Sequence, residues 1–300
     1  MSTAPEDPCP CGSGKTYKSC HKDLDDADPQ DMLGIAYRQY ARQWAGNSTF
    51  YEAQGIYNDL AAHLALQANP RRVLDLGCGR GEGLDALRTR LSRANTQIVG
   101  LDQNVDCLAA TANRFGLHSP KSRLKWIQAI GRDYDLAYIS NSLPLMSELT
   151  LINSDYTRPD LELETFLNSN GPFDAVTLWF PGTHGAQSYD VVAKADGLKS
   201  SAMVRMAAET HAGFIAKELA HPGGVLHIAN RGQSRSETAC RATLEPIAEK
   251  FAKLNGLSLQ SFAIYPYKEP VNGDNISVCS VEGSNFGAKT FVTSAIFKID

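Results

Sequence analysis

Apolar positions along the chain fall into two rhythms. Short unbroken runs alternate with longer stretches of helical spacing. The runs are Val73-Leu74-Asp75-Leu76, Gln97 to Asp102, Leu149 to Asp155, Phe173 to Phe180 and Pro222 to Ala229. Runs of aliphatic and β-branched residues without polar alternation read as strands covered on both faces. Between them, Leu84, Leu87 and Leu91 recur at helical spacing, as do Val105 to Phe115, Leu198 to Leu219 and Arg235 to Leu254. Ser236 is placed as an N-cap and Gly256 as a C-terminal stop. Ahead of the first strand, Leu33, Tyr37, Tyr40 and Trp44 share one helical face, and Ile56, Leu60 and Leu64 share another before Pro70. The end of the chain alternates with period two in Ser258 to Tyr265, Ile276 to Val281 and Phe291 to Ile299, with turn residues at Asn272 to Asn275. Strands alternating with helices predict an α/β fold.

The first strand ends in glycines at every second position: Asp75-Leu76-Gly77-Cys78-Gly79-Arg80-Gly81. Glycine is needed where the backbone takes φ values closed to other residues, or where a ligand must approach it closely. A dinucleotide fingerprint requires Gly-x-Gly-x-x-Gly. Counting from Gly77 puts Glu82 in the last slot, and counting from Gly79 puts Leu84 there. Asp75-x-Gly77-x-Gly79-x-Gly81 instead resembles motif I of the Rossmann-type S-adenosylmethionine (SAM)-dependent methyltransferases. The resemblance extends over roughly residues 70 to 230, because the second strand ends in Asp102, the third in Asp155, and Pro222-Gly223-Gly224 leads into the fifth. It implies a doubly wound, mainly parallel seven-stranded sheet with a C-terminal antiparallel hairpin. It also implies SAM as cofactor, held by Asp75, Gly77, Cys78, Gly79 and Gly81 at the methionine end. Asp102 would accept the ribose hydroxyls and Asp155 a hydrogen bond from the adenine amino group, with Gln103 and Tyr156 beside them as further cofactor-binding residues. An Asp at a strand end is ordinarily a turn residue or helix cap, so the ordered series carries this reading and no single residue does. Cys78 reads as a small packed residue, and Asp174 is as readily structural as ligand-binding.

A second cluster lies at the amino terminus. Cys9, Cys11, Cys20 and His21 supply a complete tetrahedral ligand set for zinc within thirteen residues. So short a peptide buries no core, and metal would supply its folding free energy. The segment, with Gly12-Ser13-Gly14-Lys15-x-Tyr17, Lys18 and the closing Cys20-His21, resembles the SEC-C motif of the preprotein translocase ATPase SecA. Gly14-Lys15-Thr16 mimics the end of a phosphate-binding loop, but Cys9 stands where that loop needs glycine. In the resembled family such modules often dock onto the ribosome or the export chaperone SecB. Lys15, Lys18 and Lys22 give this one a basic face. Asp23 to Pro29 is acidic and reads as a solvated linker. The expected organisation is a zinc module at 1–22, a linker at 23–31 and the enzyme domain at 32–300, with a helical lead over 32–69 and an insertion at about 121–148.

Bulk properties narrow the function further. A hydrophobic fraction of 43% and a charged fraction of 21% suit a folded globular chain. The net charge of −4 offers no general field for nucleic acid, which makes RNA a weaker expectation as acceptor. No signal-peptide layout or membrane-length apolar run is present, and the seven cysteines form no oxidised framework; a reducing cytoplasm fits best. In open α/β sheets ligands bind beyond the carboxyl ends of the strands, so a base is sought after the fourth strand. His184 is the first choice there and Tyr189 the second. His227, inside a strand, and His211, on a helix, read as satisfied structural residues. Tyr51 and Tyr57 are candidates for lid contacts, with core packing the favoured alternative. Trp126, Tyr134 and Tyr138 place the insertion near a substrate site. The stretch Trp179 to Gly182 is not Asn/Asp-Pro-Pro-Tyr/Phe, the motif of many enzymes that methylate planar amino nitrogens. Phe180-Pro181 alone echoes a transfer-RNA guanine methyltransferase motif. A small-molecule or protein acceptor is the leading expectation, with a ribosome-docked RNA methyltransferase and a non-catalytic SAM-binding protein as alternatives.

Overall fold

A computed structural model describes residues 4–7, 16–91, 96–128, 131–139, 143–269, 279–280 and 289–300. Four helices precede the sheet: α1 (Tyr17–Cys20), α2 (Lys22–Asp26), α3 (Pro29–Ala53) and α4 (Ile56–Gln67). The sheet then begins with β1 (Arg72–Leu76), α5 (Glu82–Arg90), β2 (Gln97–Asp102) and α6 (Val105–Phe115). A hairpin of β3 (Leu124–Gln128) and β4 (Tyr134–Tyr138) occupies the inserted stretch before β5 (Leu149–Asn153). Then come α7 (Leu161–Asn170), β6 (Phe173–Trp179), a 3-10 turn (Gly185–Tyr189), α8 (Val191–Ala195) and α9 (Ser201–Leu219). The chain closes with β7 (Ala220–Ser234), α10 (Glu237–Asn255), β8 (Leu257–Tyr267), β9 (Cys279–Ser280) and β10 (Lys289–Ile299).

The strands follow the order β5-β2-β1-β6-β7-β10-β8, with the short β9 beside β7. The pairs from β5 to β7 are parallel, and β10 runs antiparallel between β7 and β8. The expected doubly wound sheet with a C-terminal antiparallel pair is therefore present. Of the alternating run 276–281, only Cys279 and Ser280 fall among the described residues. Strand pleat sends alternate residues to opposite layers. Val73 packs with α4, α5 and α6 through Leu60, Leu87 and Leu108, while Leu74 and Leu76 pack with α7, α9 and α10 through Leu163, Ala212 and Ala248. The order reverses between β1 and β6, and that switch point opens a crevice at their carboxyl ends. Ser236 accepts the N–H of Ala239, and Gly256 takes a left-handed conformation at the end of α10.

The acidic stretch 23–31 does not run as solvated linker. It forms α2, and α3 begins at Pro29. Its one leucine, Leu24, is fully buried among Met32, Leu33, Ala36, Tyr37, Tyr134, Leu136 and Ala186. The surrounding aspartates stay polar: Asp25 accepts hydroxyl hydrogen bonds from Tyr17 and Tyr189. Burying one leucine supplies about 2 kcal/mol, enough to dock a short segment whose charges remain solvated or paired. The ends of the preceding segment are drawn together by backbone bonds from Tyr17 N–H to the Asp7 carbonyl (2.8 Å) and from Lys18 N–H to the Pro5 carbonyl (2.8 Å). Cys9, Cys11 and the side chain of Cys20 lie outside the described residues, so the expected zinc site is represented only by His21, between α1 and α2. No helix among the described residues is long and apolar enough to cross a membrane.

Candidate functional site

The turn after β1 is built from its glycines. The N–H groups of Gly77 and Cys78 both donate to the Leu101 carbonyl (2.9 Å each), tying the turn to the end of β2. Gly77, Gly79 and Gly81 have φ of 72°, 60° and 88°, conformations costly for any residue with a Cβ. Gly77 borders the crevice, and a Cβ there would point into open space. At Gly79 a Cβ would sit 3.0 Å from the Trp44 indole nitrogen. Gly81 does not line the crevice; a Cβ there would fall 2.9 Å from Thr111 Cγ2 and 3.1 Å from Phe115. Gly81 thus serves the packing of α6, which departs from the cofactor contact expected of it.

The carboxylates expected at strand ends come together in the same crevice. Asp75 accepts a hydrogen bond from Thr177 Oγ1 (2.5 Å) on neighbouring β6. Burial pushes its carboxyl up to about 7, with a smaller push from Asp102, against the pull of the Thr177 bond. Asp102 accepts from the N–H of Gly79 (2.8 Å) and of Asn104 (2.7 Å), and burial still raises it to about 6. Gln103 and Tyr156 also line the crevice, as does Cys78, whose thiol burial pushes well up. Asp155 lines it as well, but it is tied into its own loop. It accepts from Thr157 N–H (3.0 Å), Thr157 Oγ1 (2.6 Å) and Arg158 Nε (3.1 Å), and Arg158 continues to Asp190 and Asp135.

The opposite wall is aromatic. Tyr37, Tyr40 and Trp44 descend from α3, Tyr57 from α4, and Trp179 and Phe180 from the end of β6. The α3 stripe thus forms part of the pocket as well as of the core. Phe180 has φ 57°, a rare conformation for an aromatic residue, held by its N–H bond to the Ala229 carbonyl (2.8 Å). Trp179 donates its indole N–H to His227 Nδ1 (3.2 Å). Indole nitrogen only donates, so Nδ1 of His227 is unprotonated and Nε2 donates to Ser294 Oγ (2.7 Å). The Ser294 hydroxyl is then free to donate to His63 Nδ1 (2.7 Å). His227 is therefore a satisfied core residue, as expected, and burial lowers its pKa well below the ordinary value.

Past Phe180 the chain runs beneath α3. A Cβ on Gly182 would lie 1.9 Å from the Tyr40 hydroxyl, so any larger residue would displace the Tyr40 ring. His184 follows, lining the crevice at 8% exposure, with its ring edge-on to Tyr37 (centroids 5.1 Å apart). Its Nδ1 is buried with no hydrogen-bond partner among the described residues. Burial lowers it to about 4, so the ring is neutral near pH 7 and can accept a proton or a hydrogen bond. Tyr189 lies away from the crevice, bonded to Asp25 (2.7 Å). Tyr51 is a core residue, bonded to Glu269 and Arg231, while Tyr57 borders the pocket. Tyr134 packs under α3 and Tyr138 donates to the Asp155 carbonyl (2.8 Å), so both frame the site without lining it. The side chain of Trp126 lies outside the described residues. His211 sits on α9 with Nδ1 near the Ala207 carbonyl, also off the pocket.

Among the polar lining residues that sequence reasoning missed, Asn104 and Glu82 are tied most firmly into the site. Asn104 caps α6 and donates from Nδ2 to the Tyr37 carbonyl (3.0 Å), fastening the aromatic helix to the Asp102 turn. Its cap position before Val105 was the available signal. Glu82 is buried in the first turn of α5, where Ser48 (3.0 Å) and Arg114 (3.4 Å) reach it. The crevice is thus lined by Asp75, Glu82, Asp102 and Asp155, with no lysine or arginine among its described lining residues.

Among known families, the SEC-C motif matches residues 7–23. No curated protein sequence matches the chain. Among solved structures it is similar to the N-methyltransferase NodS from Bradyrhizobium japonicum in complex with S-adenosyl-L-homocysteine, at 12% identity over 83% of this chain and 87% of that one, TM-score 0.41. It is similar also to an O-methyltransferase family protein from Burkholderia thailandensis, at 14% identity over 90% of this chain and 63% of that one, TM-score 0.44. A third similar structure is TrmN from Thermus thermophilus, at 15% identity over 81% and 49%, TM-score 0.41.

Proposed function

We propose that the chain is a SAM-dependent methyltransferase acting on a small-molecule or protein acceptor. The observation that carries this reading is the charge of the crevice: carboxylates at the tips of β1 and β2 face a glycine turn, and among the described residues no lysine or arginine lines it. A pyrophosphate would meet Asp75 and Asp102 at unfavourable cost, whereas a ligand carrying an ammonium and a sulfonium offsets buried carboxylates. The residues fit the cofactor in a second respect, since the open space beside Gly77 leaves the backbone accessible. Asp102 would accept the ribose hydroxyls, Asp75, Gly77, Cys78 and Gly79 would hold the methionine end, and Asp155 and Tyr156 the adenine. Bound SAM supplies an already activated methyl group. The chain then has to orient the acceptor and keep water out, which the Tyr37, Tyr40 and Trp44 wall supports. Neutral His184 accepts the hydrogen of an incoming O–H or N–H and takes its proton where the acceptor must lose one.

Calorimetry with SAM tests the reading directly. Wild type is expected to bind, and Asp102→Ala to lose about tenfold or more in affinity, since a charge-assisted hydrogen bond in a buried site is removed. Labelled SAM offered with separated protein, RNA and small-molecule fractions would identify the acceptor class, and no transfer to any fraction would favour a binding protein without catalysis. For the amino-terminal segment we read one zinc ion on Cys9, Cys11, Cys20 and His21 and a docking role toward a partner such as the ribosome or SecB. One zinc per chain by elemental analysis, lost on Cys9→Ser with Cys20→Ser, is the expected result.

A further inference from the structure

We propose that the segment from Tyr17 to Asp25 braces the loop that carries His184, so that the state of the SEC-C motif is felt at the acceptor side of the crevice. This rests on the methyltransferase reading for its consequence, though not for its geometry. One carboxylate joins the two parts: Asp25 accepts the hydroxyl of Tyr17, inside the motif, and the hydroxyl of Tyr189, at the end of the His184 loop (2.7 Å each). Beside it, Arg132 lies over the Tyr189 ring (5.2 Å) and donates to the carbonyls of Leu24, Asp25 (2.7 Å) and Ala27 (3.4 Å). The hairpin insertion thus clasps α2 against the same loop.

Leu24 makes the closest approach. It is fully buried against Tyr37 and Ala186, the residues that flank His184 from the helix side and the loop side. Gly185, next to His184, has no room for a Cβ: one would lie 2.5 Å from Leu24 Cδ1 and 3.6 Å from His21 Nε2. The loop is therefore pressed directly against the end of the motif, one residue from the candidate base. An apolar plug and a shared carboxylate fix position independently, one by packing and one by direction. Displacing α2 would remove both at once and free residues 181–190. Among the described residues, no hydrogen bond joins Asp75, Gly77, Gly79 or Asp102 to this brace and none of them belongs to the Leu24 cluster, so they would stay in place.

Hydrogen exchange on the full-length chain tests the coupling. Asp25→Ala and Leu24→Ala are expected to speed exchange across 181–190 roughly tenfold, with β1 and β2 unchanged and SAM affinity within about twofold. Leu24→Met, which refills the same space, should restore slow exchange. Tyr17→Phe should speed the same loop although it lies in the motif, and adding it to Asp25→Ala should bring no further change, because both act through one carboxylate. Unchanged loop exchange in folded Asp25→Ala and Tyr17→Phe would overturn the proposal, and so would strictly additive effects. If Leu24→Ala fails to fold, those two variants decide alone. Failure of the wild type to bind SAM would remove the methyltransferase reading while the exchange result still judged the brace.

Discussion

Asp102 shows how much one side chain can carry. It closes the glycine turn through Gly79, starts α6 through Asn104, and still faces the crevice. Its position was legible because glycine spacing and a strand-end carboxylate are local signals. The pairing of Arg158 with Asp190, which anchors the local Asp155–Arg158 pair, was not, because it depends on a loop brought in from 32 residues away. The carboxylates also set a pH dependence. Burial holds Asp75 at about 7 and Asp102 at about 6, above the ordinary aspartate value, so protonation begins as pH falls through that range. A cationic ligand prefers the ionised forms, so binding should release protons there and affinity should drop as pH is lowered from 7.5 to 5.5. Asp102→Asn should be weak throughout and show a shallower pH slope. Calorimetry in buffers of different ionisation enthalpy would measure the proton release; equal affinity across the range would refute the assignment.

The helices and strands were readable wherever apolar periodicity continued for several turns or a whole strand, as in α6, α10 and β1. α2 was not, since a five-residue helix with one apolar side chain has no period to read. Its structure is decided by the cavity that Leu24 enters, which belongs to α3 and the β3–β4 hairpin. The contact between α5 and α6 illustrates the converse, a spacing motif whose third glycine answers to packing. Gly81→Ala should cost about 2–3 kcal/mol, part from its φ of 88° and part from overlap with Thr111 Cγ2. Thr111→Ser removes that methyl while keeping the hydroxyl bond to the Gly79 carbonyl (2.8 Å). The double variant should therefore recover the overlap part alone, about half of the loss, in denaturant unfolding. No recovery would mean that backbone strain and the Phe115 contact carry the effect.

At the scale of the molecule, the doubly wound sheet follows from strands and helices alternating in sequence, and the crevice follows from where the strand order reverses. The attachment of the amino-terminal segment could not be read this way. Its composition is that of a solvated tether, and only the long-range contacts of Leu24, Asp25 and Arg132 show it seated. Those contacts make a distinct prediction for a chain lacking residues 1–28. A freely tethered module would leave the rest untouched, with the same melting temperature. A seated one leaves Met32, Leu33, Tyr134, Leu136 and Ala186 uncovered and deprives Arg132 of its carbonyl partners. Loss of the leucine burial and of those bonds is worth about 2–3 kcal/mol, which for a chain of this size lowers Tm by roughly 3–5 °C. SAM affinity should change by less than about threefold, because the hydrogen bonds that hold Asp75 and Asp102 come from Thr177, Gly79 and Asn104, none of them in the deleted segment. A lower Tm with intact binding would establish the segment as part of the folded domain; an unchanged Tm would mean that it leaves the surface in solution.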